Sequence, residues 1–487
     1  MLDRLRQDYF SNIKGDILAG VVVALALIPE SIAFSIIAGV DPMVGLYAAF
    51  IISIMTGVFG GRPGMISGAT GAMALLMGPL IRDYGLDYLL AATILTGVIQ
   101  YVFGALKIAR LMKFIPRAVM IGFVNALAIL IFTSQIPHFI GISNLTYIFV
   151  GLTLAIIYIL PRFTTAVPAP LVAIIILTGI ALFYNLDLNT VGDLGSISNT
   201  LPSFIIPNVP FTFETLSIIF PYAIALAIVG LLESLLTATI VDDLTDTDSN
   251  KNKESRGQGL ANIVTGFFGG MAGCAMIGQS IINIKSGGRS RLSSVVAGVF
   301  LIFLVLVLSS LVVQIPMPIL VGIMIMVSIG TFDWGTFKYL KKAPKSDALV
   351  MLVTVGIVVY THDLSQGVIA GVVLSAILFV AKISVVHVEK SVTNQVQLYQ
   401  VKGQLFFASV DSFKNGFDYT LKNQTIEIEF KDAHIWDDSA VFAIDQVILK
   451  LRQNHNTVTV KHLNQDSQVL VDQLAVFDDP NAKLSAH

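Results

Sequence analysis

Apolar runs long enough to cross a membrane recur from Ile17 to Lys382, and polar or glycine-rich breaks separate them. In the first half the pattern predicts spans at residues 17–39, 43–60, 66–81, 87–106, 118–137, 145–160 and 168–184. In the second half it predicts spans at residues 216–240, 258–271, 274–287, 292–313, 317–333, 347–361 and 364–381. The third and the tenth are short. The hydrophobic pattern therefore predicts an α-helical polytopic membrane protein with 14 spans.

One glycine-rich stretch occurs twice, as TGVFGGRPGMISGAT at Thr56–Thr70 and as TGFFGGMAGCAMIGQ at Thr265–Gln279. At a fixed offset of 209 residues, the glycines at 57, 60, 61 and 64 fall on those at 266, 269, 270 and 273. Each copy interrupts apolar sequence and leads into one of the two short spans. A single break of this kind is more typical of a turn or a close helix crossing. Two breaks in register predict interrupted helices at matching places, which in transporters indicate the substrate site.

Lysine and arginine concentrate in alternate connections between the predicted spans. With the N-terminus inside, the connections assigned to the outside contain only Arg82. Because cytoplasmic loops carry the excess of Lys and Arg, both termini are predicted to be cytoplasmic. Seven spans is an odd number, so the second glycine-rich stretch enters the membrane from the opposite face. The chain is therefore predicted to be a 7+7 inverted repeat, with repeat one at about 15–185 and repeat two at about 212–385.

The composition agrees with this class, since 55% of the 487 residues are hydrophobic and only 13% are charged. The chain becomes polar towards its end, which predicts a transmembrane domain at 1–390 and a small soluble domain at 391–487. The single cysteine, Cys274, excludes an internal disulfide. Met1–Gly15 is polar and basic, so we expect no cleavable signal peptide. We expect a carrier in a lipid bilayer rather than an enzyme, with no nucleic-acid partner.

Two glutamates occupy corresponding positions inside predicted spans, Glu30 in span 1 and Glu233 in span 8, and each is followed by serine. A charged side chain at this depth costs about 2.5–3.5 kcal/mol, so it usually faces a cavity or a partner. Each glutamate is then either a protonated acid bonded to a neighbouring helix or a group that couples transport to an ion. Thr237 lies one turn after Glu233 and would add an oxygen ligand on the same face. We predict a coupling site for H+ or Na+ at Glu233 and Thr237, with Glu30 as a further ion-coupling candidate.

The segments Ser67–Thr70 and Ala275–Gln279 are predicted to open two half-helices. Their N-termini would face one another near the bilayer midplane, each with unpaired N–H groups and about half a positive charge. Such helix ends are ready sites for an anion. Gly68 and Gly278 would let a ligand approach the backbone closely, and Thr70 would add a hydroxyl donor. Backbone N–H groups bind any oxyanion, so this pattern does not discriminate among small anions.

Several segments resemble the SulP family of anion transporters, the bacterial relatives of the solute carrier 26 proteins. They are ALALIPESIAFSIIAGVDPMVGLYAAF (Ala24–Phe50), GMISGATGAM (Gly64–Met73), ESLLTATIVDDLTDT (Glu233–Thr247), GQGLANIVTGFFGGMAG (Gly257–Gly273) and INIKSGGRSRLSS (Ile282–Ser294). The resemblance implies a 7+7 inverted repeat split into a core and a gate domain. It also implies a location in the bacterial inner (plasma) membrane, often as a homodimer, and a substrate held between spans 3 and 10.

Carried over by position, the substrate contacts would be Ala69, Thr70, Ala275, Met276 and Ile277, with Gln279 in the same site. Many family members carry Arg where this chain has Gln279, so a fixed positive charge is missing here. Sodium-coupled bicarbonate members resemble this chain at span 8 but carry Asp where Glu233 stands. The longer Glu suits H+ coupling better than a tight Na+ site. Both the substrate and the coupling ion therefore stay open.

The resemblance makes sulfate and bicarbonate the leading substrates, with C4-dicarboxylates behind them, and implies no cofactor beyond a coupling ion. A nucleobase–H+ symporter of the same fold is one rival, because such carriers use a span-8 Glu. An uncoupled anion channel is a second rival. A membrane-anchored signalling module that works through the soluble tail is a third.

The tail predicts a small α/β domain. The pattern indicates strands at Val396–Val401, Leu405–Ala408, Thr425–Phe430 and Thr457–Lys461, and a helix at Ser439–Leu451. The stretch FKDAHIWDDSAVFAIDQVILKLRQ (Phe430–Gln453) resembles the STAS domain that ends SulP proteins. Ser439 is predicted to cap the helix rather than to serve as a phosphorylation site.

Overall fold

The computed structural model describes residues 9–108, 115–164, 167–193, 200–393 and 395–477. The chain divides into two compact units, and the second begins at Val373. The first unit is built from apolar helices, whereas the second contains a four-stranded sheet.

Helices occupy all the predicted spans of the first unit. The first repeat contains α1 (Ile13–Ala38), α2 (Pro42–Phe59), α3 (Gly71–Tyr84), α4 (Leu86–Ala105), α5 (Arg117–Phe139), α6 (Asn144–Ile159) and α7 (Ala169–Phe183). The second contains α8 (Phe213–Thr245), α9 (Lys251–Phe267), α10 (Ile277–Lys285), α11 (Arg291–Val312), α12 (Met317–Thr331), α14 (Lys345–Thr361) and α15 (Leu364–Ile383). A short helix that the sequence did not predict, α13 (Thr336–Lys342), follows α12.

Nine helices among the described residues are long and apolar enough to cross a membrane. The half-helices α3 and α10 are shorter, at 14 and 9 residues, because each begins only after a glycine-rich break. The helical membrane class is therefore confirmed, while the number of 14 crossings stays a prediction.

The helices of the first unit pack as two bundles. One, which we call the core bundle, contains α1–α4 and α8–α11, and the other, the gate bundle, contains α5–α7, α12 and α14. Within the core bundle α4 packs against α8 and α9, and its counterpart in the second repeat, α11, packs against α1 and α2. The half-helices α3 and α10 both pack between α1 and α8. Exchanging the two repeats preserves these contacts, as a repeat with internal twofold symmetry requires.

Glycine permits the tightest of these crossings. A Cβ atom on Gly97 of α4 would lie 2.5 Å from the carbonyl oxygen of Gly259 in α9. A Cβ atom on Gly259 would lie 2.5 Å from the backbone nitrogen of Tyr101. Any larger residue would push α4 and α9 apart, since both obstacles are backbone atoms.

The connection between α8 and α9 is shorter than the hydrophobic pattern predicts. α8 continues to Thr245, and α9 begins at Lys251 although its first turns are polar. Arg62 Nε lies 3.2 Å from Asp242 Oδ1, and these side chains are only 5% and 16% exposed. Asp242 is therefore a partly buried residue that pairs with the arginine of the first glycine-rich stretch, and it does not lie on a solvated face.

Two short strands lie in the first unit, β1 (Ser67–Gly68) and β2 (Cys274–Ala275). The second unit contains a sheet in the order β3 (His387–Thr393), β4 (Val396–Leu405), β5 (Thr425–Ile435) and β6 (Thr457–Lys461). β3 and β4 pair antiparallel, whereas β4–β5 and β5–β6 pair parallel. Three helices complete the unit, α16 (Val410–Lys414), α17 (Asp438–Arg452) and α18 (Gln465–Leu474). Alternate residues of β5, Ile426, Ile428 and Phe430, are fully buried in its core.

Two sequence predictions for this unit need correction, and one strand was missed. No separate strand exists at Leu405–Ala408, since Leu405 is the last residue of β4 and the chain turns after it. The first strand, β3, was not predicted because nearly all of its residues are exposed and it shows no apolar alternation. Ser439 does not cap α17, because the side chain of Asp437 accepts the hydrogen bond from the Ala440 amide at 2.9 Å.

Candidate functional site

The two glycine-rich stretches meet inside the core bundle. Each ends in a two-residue strand, β1 (Ser67–Gly68) and β2 (Cys274–Ala275), and these pair antiparallel. A Cβ atom on Gly273 would lie 2.1 Å from the Gly68 carbonyl oxygen, so only glycine allows this crossing. α3 begins at Gly71 and α10 at Ile277, shortly after the paired strands, so the two half-helix N-termini lie close together.

The N-termini of the half-helices differ in how their amides are satisfied. Thr70 caps α3, because its Oγ1 accepts from the Met73 amide at 3.4 Å. Met276 precedes α10 and provides no side-chain cap. The first amides of α10, those of Ile277 and Gly278, have no acceptor within their own helix. α10 therefore presents the more open place for a negative charge.

Both N-termini open into one cavity of about 650 Å³ between the core and gate bundles. The lining residues from the core bundle are Glu30, Phe34, Thr70, Gly71, Glu233, Leu236, Ile240, Met276, Ile277, Gly278, Gln279, Ile281 and Ile282. Those from the gate bundle and the turn after it are Arg117, Met120, Ile121, Phe123, Val124, Leu127, Ile131, Met326, Val327, Gly330, Thr331 and Asp333. Both walls of the cavity are therefore largely apolar, and the core-bundle wall adds the two helix ends and the carboxyl groups of Glu30 and Glu233.

A chain of hydrogen bonds joins the α3 cap to the carboxylate of span 8. Cys274 Sγ donates to Glu233 Oε2 at 3.0 Å, and Thr70 Oγ1 lies 3.1 Å from Cys274 Sγ. Because the thiol hydrogen points to Glu233, the Thr70 hydroxyl is the donor in its contact with the sulfur atom. Ser234 adds a second tie, because its Oγ accepts from the Ala275 amide at 3.1 Å. Glu233 and Ser234 therefore both hold β2, and the Cys274 thiol extends the link to Thr70 at the start of α3.

The carboxylate of span 1 occupies a related position. Glu30 lines the same cavity, and the Gln279 side chain in the first turn of α10 lies near it. Each glutamate therefore lies near the start of the opposite repeat's half-helix: Glu30 is close to Gln279 of α10, and Glu233 is linked to Thr70 through Cys274. The correspondence of Glu30 with Glu233 that the sequence indicated is thus present in the geometry.

The structure separates the predicted site residues into two groups. Those that line the cavity are Glu30, Thr70, Glu233, Met276, Ile277 and Gln279. Ala69, Ala275 and Thr237 are buried just behind the wall, and Thr237 Oγ1 donates to the Glu233 carbonyl oxygen at 2.7 Å. The functional roles assigned to all nine stay predictions.

Sequence reasoning missed three polar residues of this site. Cys274 was considered in the sequence only for disulfide formation, and its separation of 41 positions from Glu233 gives no sign of their contact. Arg117 directly precedes the predicted span 118–137 and Asp333 is the last residue of the predicted span 317–333, so nothing in the sequence places them at a cavity. With Glu30 and Glu233, the charged lining consists of three carboxyl groups and one guanidinium.

The fold and the site define a class of protein: helical membrane proteins with paired interrupted helices at a central cavity and an additional small α/β unit. Within that class, the profile of the sulfate permease family matches residues 13–153 and 144–354, and the STAS domain profile matches residues 387–487. The chain belongs to the sulfate permease family and ends in a STAS domain.

Two sequence relatives and one solved structure show what this chain is similar to. The chain is 62% identical to the putative sulfate transporter YbaR of Bacillus subtilis over 472 residues, 97% of this chain and 99% of the relative. It is 31% identical to the bicarbonate transporter BicA of Picosynechococcus sp. over 418 residues, 78% of this chain and 73% of that protein. The structure of the murine Slc26a9 anion transporter in the inward-facing state superimposes with a TM-score of 0.84 at 17% identity, covering 96% and 89% of the two chains. This last likeness concerns the fold alone.

The comparisons confirm the resemblance to SulP proteins and the STAS tail. They also agree with a transporter rather than an enzyme, because the curated relatives are named as transporters.

Proposed function

We propose that this protein is a secondary active transporter of a small inorganic anion, sulfate or bicarbonate, coupled to H+ or Na+ through Glu233. The names of its relatives support this choice of substrate, since they include a putative sulfate transporter and a bicarbonate transporter. The anion lies at the starts of α3 and α10.

One observation carries the proposal: the uncapped first turn of α10 and the Thr70-capped start of α3 open into the same cavity as a buried carboxyl group. The helix ends supply donors and positive potential for an oxyanion. An ionised Glu233 in the same cavity repels that anion, in surroundings of low dielectric constant. A proton or Na+ on Glu233 removes the repulsion, so the ion and the anion bind together.

The extent of the cavity also indicates the side of the membrane to which it opens. It extends from the half-helix starts to Arg117 at the beginning of α5 and to Asp333 beyond the end of α12. The Lys and Arg distribution assigns that end to the cytoplasm. The arrangement is therefore inward-facing, and movement of the core bundle against the gate bundle would present the half-helix starts to the other side. We propose that the protein does this as a homodimer in the plasma membrane, with both termini cytoplasmic.

Uptake into proteoliposomes tests the proposal. We would measure labelled sulfate, bicarbonate, fumarate and uracil, with a proton gradient or a Na+ gradient imposed separately. Accumulation of sulfate or bicarbonate against its gradient, driven by one of the two ions, is the expected result. Uracil uptake would favour a nucleobase symporter, large anion currents without a coupling ion would favour a channel, and no uptake of any solute would refute a carrier.

A further inference from the structure

A row of buried polar side chains runs along α9. Glu254, Gln258 and Asn262 follow one another at intervals of four residues, so they share one face of the helix. All three are fully buried, with 0% exposure. Burying amide and carboxyl groups is costly unless they are hydrogen-bonded, so such a row requires a partner on the facing side. The partners are the two chain segments that lead into the half-helices and, for Asn262, also Gln100 of α4, whose Oε1 accepts from Asn262 Nδ2 at 2.8 Å.

Gln258 holds the first of these segments. Its Nε2 donates to Ser67 Oγ at 2.7 Å and also to Glu254 Oε1 at 3.0 Å. Ser67 is the first residue of β1, and it pairs with Ala275 of β2. The amide thus contacts the strand that immediately precedes Thr70 and α3.

Asn262 holds the second segment. Its Oδ1 accepts from the Gly273 amide at 2.9 Å, and its Nδ2 donates to the Gly273 carbonyl at 3.0 Å. One side-chain amide thereby satisfies both backbone groups of the residue just before β2. Glu254 completes the row, because its Oε2 accepts from the Gly61 amide at 2.6 Å in the loop before β1.

The row exists in only one of the two repeats. At the repeat offset of 209 residues, the counterparts in α2 are Gly45, Ala49 and Ser53. Only Ser53 keeps a matching contact, since its Oγ donates to the Ser67 carbonyl at 2.6 Å. The side chains of a single helix, α9, therefore contact the entries to both α3 and α10, whereas those at the matching positions of α2 contact only one.

We propose that Gln258 and Asn262 are positioning residues that set the separation and orientation of the two half-helix N-termini and thereby the affinity for the anion. This inference rests on the proposed function. Neither side chain lines the cavity, so each acts through the strand that it holds. Loosening one strand should weaken anion binding more than it slows the transport cycle.

A double-mutant cycle in sulfate uptake by the full-length protein tests this. Gln258→Met removes both hydrogen bonds of the amide at similar volume, and Ser67→Ala removes the hydroxyl that Gln258 contacts. A lost buried hydrogen bond predicts a rise in KM of about three- to tenfold, with kcat within about twofold of the wild type. Because both changes break the same bond, the double variant should have nearly the KM of Gln258→Met alone.

The control is Thr265→Val. Thr265 is buried on the same helix, but within the described part of the chain its hydroxyl bonds only to the Ala261 carbonyl of that helix. The Thr265→Val variant should leave KM unchanged. The melting temperature of each purified variant identifies losses of stability. If Gln258→Met does not fold, Ser67→Ala alone provides the KM test, and an unchanged KM in a folded Ser67→Ala protein overturns the proposal. Multiplicative KM effects in the cycle would also overturn it, whereas a wild-type protein that transports no anion would instead refute the proposed function.

Discussion

Replacing Glu233 by glutamine separates anion binding from ion coupling. The amide is close in shape to the carboxyl group, and its oxygen can still accept from Cys274 Sγ, which donates at 3.0 Å in the wild type. The link from Glu233 to Thr70 at the start of α3 is therefore retained. What the variant loses is the ability to take up a proton or to attract Na+.

The expected accumulation ratio of the anion follows from the assumption that one carboxyl group carries one ion in each transport cycle. A tenfold gradient of the coupling ion, one pH unit in the case of protons, is equivalent to about 1.36 kcal/mol. At zero membrane potential it can drive accumulation of the anion to at most about tenfold. In Glu233→Gln the same gradient should produce no accumulation, so the internal concentration should only equal the external one.

The assay is uptake of labelled sulfate into proteoliposomes at clamped membrane potential, with exchange of internal for external sulfate as a second measurement. Exchange should persist in Glu233→Gln, because the helix N-termini are unchanged and a repulsive charge has been removed. The matched control is Glu214→Gln, which removes an exposed carboxylate from the first turn of the same helix, α8, and should accumulate normally. Accumulation at the wild-type ratio in Glu233→Gln would refute the coupling role, and loss of both accumulation and exchange would indicate a damaged anion site.

Three further predictions concern the site and the fold. Thr70→Leu removes the α3 cap and places an apolar side chain at the cavity wall. Sulfate affinity measured by calorimetry should therefore fall at least about tenfold while expression is normal. An affinity equal to that of the wild type would show that the anion site lies elsewhere. Asp16 accepts from the amide and the hydroxyl of Ser290 at 3.0 and 2.6 Å, so Asp16→Leu should lower stability by about 2–4 kcal/mol, and an unchanged melting temperature would contradict this. Asp437→Ala should destabilise α17 by about 1 kcal/mol and Ser439→Ala by much less, as hydrogen exchange of the α17 amides would reveal; the reverse order would restore Ser439 as the cap.

Much of the fold could be predicted because lipid restricts the choices. A segment that crosses a bilayer must satisfy its own backbone, so apolar runs of sufficient length become helices. Glu30 and Glu233 were equally visible, since a carboxyl group inside such a run is costly and rare. The paired breaks were found because glycine repeats at a fixed offset survive in the sequence.

Apolar positions on α5 and α12 were not assigned to the cavity, because an apolar residue in a membrane span is common and carries no signal of its own. A residue such as Val124 or Met326 is equally apolar whether it faces lipid, another helix or the cavity. The contact of Cys274 with Glu233 depends on how α8 crosses β2, which no local pattern records. Its bonding role therefore emerged only when the two elements were placed together.

The sequence by itself determined the class of the protein, the two repeats and the two half-helices, because hydropathy and glycine spacing are local properties of the chain. Only the tertiary structure decided which polar groups those half-helices depend on. Gln258 and Asn262 make α9 look less like a buried helix in the sequence, and the hydrophobic pattern began that span seven residues late, at 258 instead of Lys251. Their burial is favourable only because Ser67 and Gly273 arrive from distant parts of the chain to complete their hydrogen bonds.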